Sequence, residues 1–276
     1  MQIGTLLRAA QINESRVAFF KEIGLNCFQI AGIYEDCLAP TAEARKTSDG
    51  FFELFEKYGF TVPSMFLSYL GQDWKNPRTG IGLVPEHTRA ARMLTSCRLM
   101  EWCKRYDINL ITCHAGMTPE VKDEFYGRFI ADMKQLVRFA ASLGQEFLFE
   151  TGTESVANLK QIMDDIDEPN VGINFDPANL LIYNTDDPAV MVETLADRIK
   201  VVHCKDANPP AEEGVRGKET VLGAGSTNFA VLLKRLIDGG FNGPLIIERE
   251  LQPGPEQEKD ITEAVKLIKS IVNKGE

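Results

Sequence analysis

The chain has few histidines and tryptophans, and it lacks the sequence features of a secreted or membrane-bound protein. Of its 276 residues, 3 are His, 2 are Trp and 6 are Cys. No apolar run approaches the roughly 18–20 residues that cross a bilayer. The cysteines form no CxxC pair, which is typical of reduced thiols. The first residues, MQIGTLLRAA, lack a basic region followed by an apolar stretch. We therefore expect a cytoplasmic protein without a membrane partner.

Positively charged residues are also fewer than negatively charged ones. The 30 Lys and Arg residues are outnumbered by 40 Asp and Glu residues, which gives a formal net charge of −10 and a pI near 5.0. This balance argues against nucleic acid or an anionic membrane surface as the partner. A composition of 44% hydrophobic and 25% charged residues is typical of a globular protein. The length predicts one α/β domain over residues 1–276.

Four short apolar runs each end in a residue type that binds metals. The runs are FLFE (147–150), GINFD (172–176), KVVH (200–203) and LIIE (245–248). Their last residues are Glu150, Asp176, His203 and Glu248. Apolar runs of this length between helical segments are typical of buried parallel strands.

Strands and helices are predicted to alternate along the whole chain. Strands are predicted over 1–7, 26–32, 61–69, 109–116, 146–150, 171–176, 199–204 and 244–248. Helices are predicted over 13–24, 42–59, 86–106, 119–143, 154–167, 186–197, 227–239 and 257–273, although Gly50 weakens the continuity of the second. An open doubly wound sheet would also alternate in this way, but eight successive units favour a closed (β/α)8 TIM barrel.

In such a barrel the active site lies at the C-terminal ends of the strands. Glu150, Asp176, His203 and Glu248 would then converge, because they end four neighbouring strands. Three carboxylates and one imidazole suit one divalent cation, with Mn²⁺ or Mg²⁺ fitting best and Co²⁺ or Zn²⁺ as alternatives. One such residue alone could equally cap a helix or form an ion pair, but four on consecutive strands favour a metal site. Two long loops, 71–85 and 206–227, would cover the same mouth, and 71–85 shows little apolar periodicity to anchor it.

Several longer stretches resemble a known family. They are FETGTE (149–154), NFDPANLL (174–181), VVHCKDA (201–207) and GAGSTNFAVLLKRLIDGGFNGPLIIERE (223–250). They resemble the xylose isomerase-like TIM barrels of the sugar isomerase and epimerase superfamily, which includes ketose 3-epimerases and endonuclease IV. The resemblance implies that the four strand-end residues hold one divalent ion, with Mn²⁺ the expected one, and that Glu150 and Glu248 also move protons. It further implies a homodimer or homotetramer.

The reaction implied is a metal-dependent isomerisation or epimerisation of a ketose or keto-sugar. It would pass through an enediolate, with two glutamates transferring protons. A metal-dependent lyase or dehydratase acting on a keto-sugar, keto-inositol or 3-keto-glycoside is the alternative, and a sugar-binding protein without turnover is a third. The family's frequent D-P-x-H sequence has Asn179 in place of its histidine. With only three histidines, the chain lacks the ligands for a three-zinc nuclease site.

Five further residues are candidates for substrate binding. They are His114, Lys205, Glu154, Arg216 and Trp74. Trp74 could form an apolar wall for a sugar face. The other four also have another interpretation: His114 as a buried, satisfied histidine, Lys205 as the partner of the next aspartate, Glu154 as a helix cap and Arg216 as a solvated loop residue.

Overall fold

Eight parallel strands close into a barrel in this computed structural model, which describes residues 1–74, 76–212 and 214–273. The barrel strands are β1 (Ile3–Arg8), β2 (Cys27–Ala31), β3 (Thr61–Phe66), β4 (Leu110–Cys113), β5 (Glu146–Glu150), β6 (Val171–Phe175), β7 (Ile199–Cys204) and β10 (Leu245–Ile247). Each strand pairs with its neighbours in chain order, and β10 closes the barrel against β1. The predicted TIM barrel is therefore confirmed, whereas the single domain over 1–276 stays a prediction.

The barrel is surrounded by helices that follow its strands. The helices are α1 (Glu14–Glu22), α2 (Glu35–Leu38), α3 (Ala42–Tyr58), α4 (Pro77–Gly80), α5 (Glu86–Arg105), α6 (Tyr126–Ser142), α7 (Val156–Ile166), α8 (Pro177–Tyr183), α9 (Pro188–Leu195), α10 (Phe229–Asp238) and α11 (Pro255–Val272), with 3₁₀ turns at Ala9–Gln11 and Ala196–Arg198. Helix α3 continues through Gly50. Helix α6 begins seven residues later than the predicted 119. In the described part of the chain no helix is long and apolar enough to cross a membrane.

The loop after β7 contains structure that the sequence analysis did not predict. Strands β8 (Asp206–Asn208) and β9 (Lys218–Thr220) pair as an antiparallel ribbon within it. The carboxylate of Asp206 accepts hydrogen bonds from the backbone N–H groups of Gly223, Gly225 and Thr227. One buried side chain therefore holds both ends of this long loop together.

The loop after β3 is better anchored than its composition indicated. Ile81 and Leu83 are fully buried. The buried guanidinium of Arg92 donates to the carbonyl oxygens of Gly80 and Gly82, at 2.9 and 2.7 Å. Because these contacts hold the segment against α5 and the core, the expectation that 71–85 has little core to anchor it is wrong for its second half.

The barrel interior is built in layers because side chains alternate between the two faces of each strand. An apolar layer is formed by Cys27, Leu148, Val201 and Ile246. Two positions further along the chain lie Gln29, Glu150, His203 and Glu248, the last of which directly follows β10. These four share the interior face, one level nearer the C-terminal mouth. The alternation therefore directs polar side chains into the barrel where its strands end.

Candidate metal centre

The four strand-end residues converge as the sequence predicts. Glu150, Asp176, His203 and Glu248, the carboxylate–histidine cluster, each offer a ligand atom, and these atoms lie within 4.8 Å of one another. Nδ1 of His203 lies 3.1 Å from Oε1 of Glu150, 3.7 Å from Oδ2 of Asp176 and 3.2 Å from Oε2 of Glu248. All four side chains are buried or nearly so.

With the His203 ring neutral, two atoms of this cluster are buried without a hydrogen-bond partner among the residues that the structure describes. They are Nδ1 of His203 and Oδ2 of Asp176. The other oxygen of Asp176 accepts from the backbone N–H of Asn179 and caps α8. Buried polar atoms are seldom left unpartnered, and a divalent cation between these residues would satisfy both. Three carboxylates and one imidazole nitrogen fit such an ion, within the Mn²⁺, Mg²⁺, Co²⁺ and Zn²⁺ range.

A glutamine from the opposite side of the barrel orients the histidine. Nε2 of His203 lies 2.7 Å from Oε1 of Gln29. The amide nitrogen of Gln29 donates to Ser64 Oγ at 2.9 Å, and to Thr112 Oγ1 and Asn174 Oδ1, both at 3.2 Å. Because a carbonyl oxygen can only accept, His203 must carry its proton on Nε2. Nδ1 is then free to bind a cation, as metal-ligating histidines require.

The sequence analysis missed Gln29, although a signal was present. Gln29 is a polar residue inside the otherwise apolar run NCFQIAG (26–32). It is fully buried. A glutamine buried in a central strand needs internal partners, and this requirement could have marked it as part of the site.

Lys205 lies beside the cluster and is almost completely buried. Its ammonium nitrogen lies 2.5 Å from Glu250 Oε1, 3.2 Å from Glu248 Oε2 and 3.5 Å from Asp176 Oδ2. The alternative that Lys205 pairs with Asp206 is wrong, because Asp206 binds the loop amides described above. Lys205 instead brings a positive charge to the edge of the carboxylate–histidine cluster.

Burial and mutual charge shift the pKa values within the cluster. Burial raises the pKa of Glu150 to about 7, although His203 acts against the shift. Burial alone would also raise the pKa of Glu248, but the charges of Lys205 and His203 outweigh it and hold that pKa below its usual range. Burial opposes protonation of His203, yet Glu248, Asp176 and Glu150 together raise its pKa well above the usual value. A proton and a cation therefore compete for Nδ1.

We expect Mn²⁺ affinity to fall as the pH is lowered. With the pKa of His203 raised, Nδ1 is protonated in the metal-free chain near neutral pH, so binding must release that proton. Below about pH 7 Glu150 also takes up a proton, and the loss should steepen beyond about tenfold per pH unit. Chelator-competition titrations between about pH 6 and about pH 8 would measure this. Affinity that stays constant over that range would contradict the proton competition.

A cavity of about 500 Å³ opens above the cluster, and we call it the main cavity. It is lined by Glu150 and Glu248, and by four of the five predicted substrate-binding residues: His114, Lys205, Arg216 and Trp74. Asn179, which replaces the family's histidine, also lines it. Four of the five predicted substrate-binding residues therefore lie at the predicted mouth of the barrel. Their roles in substrate binding stay a prediction.

His114 presents a single hydrogen-bond donor to this region. The backbone N–H of Gly116 donates to His114 Nδ1 at 3.2 Å, so the proton of the neutral ring lies on Nε2. Burial lowers the pKa of His114 to about 4, which keeps the ring neutral. Nε2 is buried and has no hydrogen-bond partner within 1–74, 76–212 and 214–273. The interpretation of His114 as a fully satisfied histidine is therefore wrong, and it can donate to a substrate oxygen.

Arg216 and Trp74 connect the two long loops across the mouth. Nη2 of Arg216 donates to the carbonyl oxygen of Trp74 at 3.2 Å, and its guanidinium lies 4.9 Å from the ring centroid of Tyr183. The Trp74 ring meets His114 edge-on, with 5.5 Å between centroids.

Tyr183 ends α8, which the sequence analysis did not predict. The Asp176–Pro177 pair was an available signal, because Asp at the N-cap followed by Pro commonly starts a helix.

Glu154 lies away from the main cavity. It is not among the residues that line it. Its Oε2 accepts from Thr153 Oγ1 at 3.1 Å, and burial raises its pKa to about 7. The cap of α7 is Ser155, which accepts from the backbone N–H of Asn158. The helix-cap interpretation of Glu154 is therefore wrong, and its role in substrate binding stays a prediction.

A closed parallel barrel with a carboxylate–histidine cluster at the C-terminal ends of its strands defines the class of this protein. The chain belongs to the xylose isomerase-like TIM barrel family, whose model matches residues 17–271. A xylose isomerase domain protein from Planctomyces limnophilus is similar in structure, with a TM-score of 0.89 and 26% identity, over 99% of this chain and 96% of that one. A D-tagatose 3-epimerase-like protein shares the fold, with a TM-score of 0.75 and 20% identity, over 99% and 97%.

Curated relatives match over a shorter stretch. An inosose dehydratase from Clostridium botulinum (strain Alaska E43 / Type E3) is 30% identical over 137 residues, which is 44% of this chain and 46% of that protein. The chain thus spans about half the length of the curated relatives it matches. The proteins similar to this chain carry different names, an inosose dehydratase by sequence and an epimerase-like protein by fold.

Proposed function

We propose that the chain is a divalent-metal-dependent isomerase or epimerase that acts on a ketose or keto-sugar. The observation that carries this proposal is the placement of two cluster carboxylates on the main cavity. Glu150 ends β5 and Glu248 follows β10, and β6 and β7 separate these strands in the barrel. The carboxylates lie 3.1 and 3.2 Å from His203 Nδ1 and reach it from different strands. A substrate in the cavity would therefore meet two carboxylates from different directions.

In the proposed reaction these carboxylates move a proton at the carbon beside the substrate carbonyl. A bound divalent ion would polarise that carbonyl and make the neighbouring C–H more acidic. One glutamate accepts the proton to give an enediolate, and the other returns a proton. Return to the opposite face inverts the carbon, which requires two groups, whereas aldose–ketose transfer requires one. Glu150 and Glu248 suit either outcome, and Mn²⁺ is the proposed ion.

The remaining polar groups of the main cavity would hold the sugar. Nε2–H of His114 is positioned to donate to a substrate oxygen, and the ammonium of Lys205 can bind another. The rings of Trp74 and Tyr183 offer apolar surface to a sugar face. Arg216 would support both aromatic residues through its contacts with the Trp74 carbonyl and the Tyr183 ring.

The test is a panel of ketoses and 3-keto-glycosides, incubated with the Mn²⁺-loaded protein in D₂O and followed by NMR. We expect deuterium to enter at the carbon next to the carbonyl, together with formation of the isomer or epimer. Chelation should abolish exchange, and added Mn²⁺ should restore it. The absence of exchange from every compound in the panel would contradict proton-transfer chemistry.

A dehydratase or lyase is the second candidate, and Lys205 is the observation that favours it. Its buried ammonium lies 3.2 Å from Glu248 Oε2. A cationic acid beside a base could protonate a departing hydroxyl or alkoxide while the base removes the adjacent proton. The relative named inosose dehydratase is consistent with this reaction. In the same NMR experiment, release of water or of an aglycone would select this candidate.

A further inference from the structure

A second cavity of about 200 Å³ adjoins the main cavity, and we call it the side cavity. It lies between α2, the segment after β3, and α5. Four residues line both cavities: Tyr34, Ser68, Tyr69 and Leu70. Leu70, at this junction, is 71% exposed. A ligand bound in the main cavity could therefore extend directly into the side cavity.

Most polar groups in the side-cavity wall already have partners within the protein. Both terminal nitrogens of Arg92 donate to backbone carbonyls, those of Gly80 and Gly82. The Tyr69 hydroxyl lies 2.8 Å from Ser96 Oγ. These groups offer a ligand aliphatic or ring surface rather than free donors.

The other polar side chains of the wall follow the same pattern. Those with an internal hydrogen bond are Glu35, Ser68, Thr88 and Thr95. The apolar members of the wall are Ile33, Leu38, Leu70 and Ala91. Among the described residues of this wall, Tyr34 is the one whose hydroxyl shows no hydrogen bond, and it lines both cavities. Four residues of the wall are thus apolar, most of its polar side chains are already paired within the protein, and Tyr34 is shared with the main cavity.

We propose that the side cavity is a subsite for an apolar substituent on the sugar that occupies the main cavity. This inference rests on the proposed function, because that function places a sugar beside the cluster. A cavity of about 150 Å³ with apolar walls is enough to bind benzene, so the side cavity can take a ring of that size. The substituent would cover Leu70 and Ala91, and the Tyr34 hydroxyl would donate to the oxygen that links it to the sugar. The substrate class is then a keto-glycoside with an apolar aglycone.

The experiment compares two ligands that differ only in this substituent. Methyl and phenyl 3-keto-β-D-glucopyranoside would be titrated into the Mn²⁺-loaded full chain, with binding followed by calorimetry. We expect the phenyl compound to bind at least about tenfold more tightly, because its ring leaves water for the apolar wall. Equal affinities for the two compounds would overturn the subsite.

Two neighbouring alanines of α5 provide a matched pair of variants. Ala90 and Ala91 are both exposed, but only Ala91 is among the residues lining the side cavity. Ala91→Phe should fill the side cavity and remove the preference for the phenyl compound. Ala90→Phe adds the same ring outside it and should keep the preference. A preference that survives in Ala91→Phe, or one that is lost equally in both variants, would contradict the assignment.

Deuterium exchange on the same samples separates this inference from the proposed function. Exchange with the methyl compound, but without a phenyl preference in binding, would reject the subsite and leave the proposed function standing. A phenyl preference that Ala91→Phe removes, without exchange from either compound, would support the subsite and reject the proposed reaction.

Discussion

Replacement of Glu248 by Gln is expected to lower turnover at least about 10²-fold, the usual scale for losing a general acid–base group. The amide keeps the size of the side chain and one oxygen that can bind a cation, but it removes the basic carboxylate. The content of bound metal should therefore fall much less than the activity. Steady-state rates and metal analysis on the same preparation would measure both quantities.

Companion variants test whether the effect belongs to proton transfer. Glu150→Gln should cause a loss of similar size, because it removes the second proton-transfer carboxylate. Glu250→Gln removes a carboxylate that contacts Lys205 at 2.5 Å but lies outside the cluster, so its loss should be smaller. Deuterium wash-in would report which half of the transfer survives in each variant. If Glu150→Gln and Glu248→Gln both hold metal and turn over at near wild-type rates, the two-glutamate mechanism is wrong.

Replacement of Gln29 by Leu is expected to weaken Mn²⁺ binding about 10- to 100-fold, the usual effect of losing the group that orients a metal-ligating histidine. Leucine is similar in size but cannot accept the proton on Nε2 of His203. The buried ring then loses the contact that keeps its proton away from Nδ1, and competition between proton and cation increases. Chelator competition at one fixed pH would measure the change.

A serine in the same polar layer supplies the control. Ser64 accepts a hydrogen bond from the amide nitrogen of Gln29 at 2.9 Å. Among the described residues, no hydrogen bond joins Ser64 to His203. Ser64→Ala should leave Gln29 Oε1 facing the histidine, so Mn²⁺ affinity should change far less than in Gln29→Leu. Equal losses in the two variants would indicate a general loosening of the barrel interior, and wild-type affinity in Gln29→Leu would reject the orienting role.

Parts of the structure that depend on nearby residues were predictable. The apolar runs that end in Glu150, Asp176 and Glu248 show their strands directly, because a buried parallel strand is apolar along most of its length. Other local signals were present but unused, such as the Asp176–Pro177 start of α8. The buried second half of 71–85 was harder to predict. It is anchored by hydrogen bonds from Arg92 to backbone carbonyl oxygens, and because every residue has such a carbonyl, the sequence does not show which ones are bound.

The sequence by itself determined the (β/α)8 barrel and the convergence of the carboxylate–histidine cluster. Both follow from local periodicity, since side chains alternate along a strand and parallel strands end at one mouth. Only the tertiary structure decided that Gln29 orients His203, because the two residues are 174 positions apart and meet across the closed barrel. The tertiary structure also showed that Nε2 of His114 has no partner in the described part of the chain, and that a side cavity lies beside Tyr34. Donors and cavities depend on which groups are already paired in three dimensions, and no spacing along the chain records this.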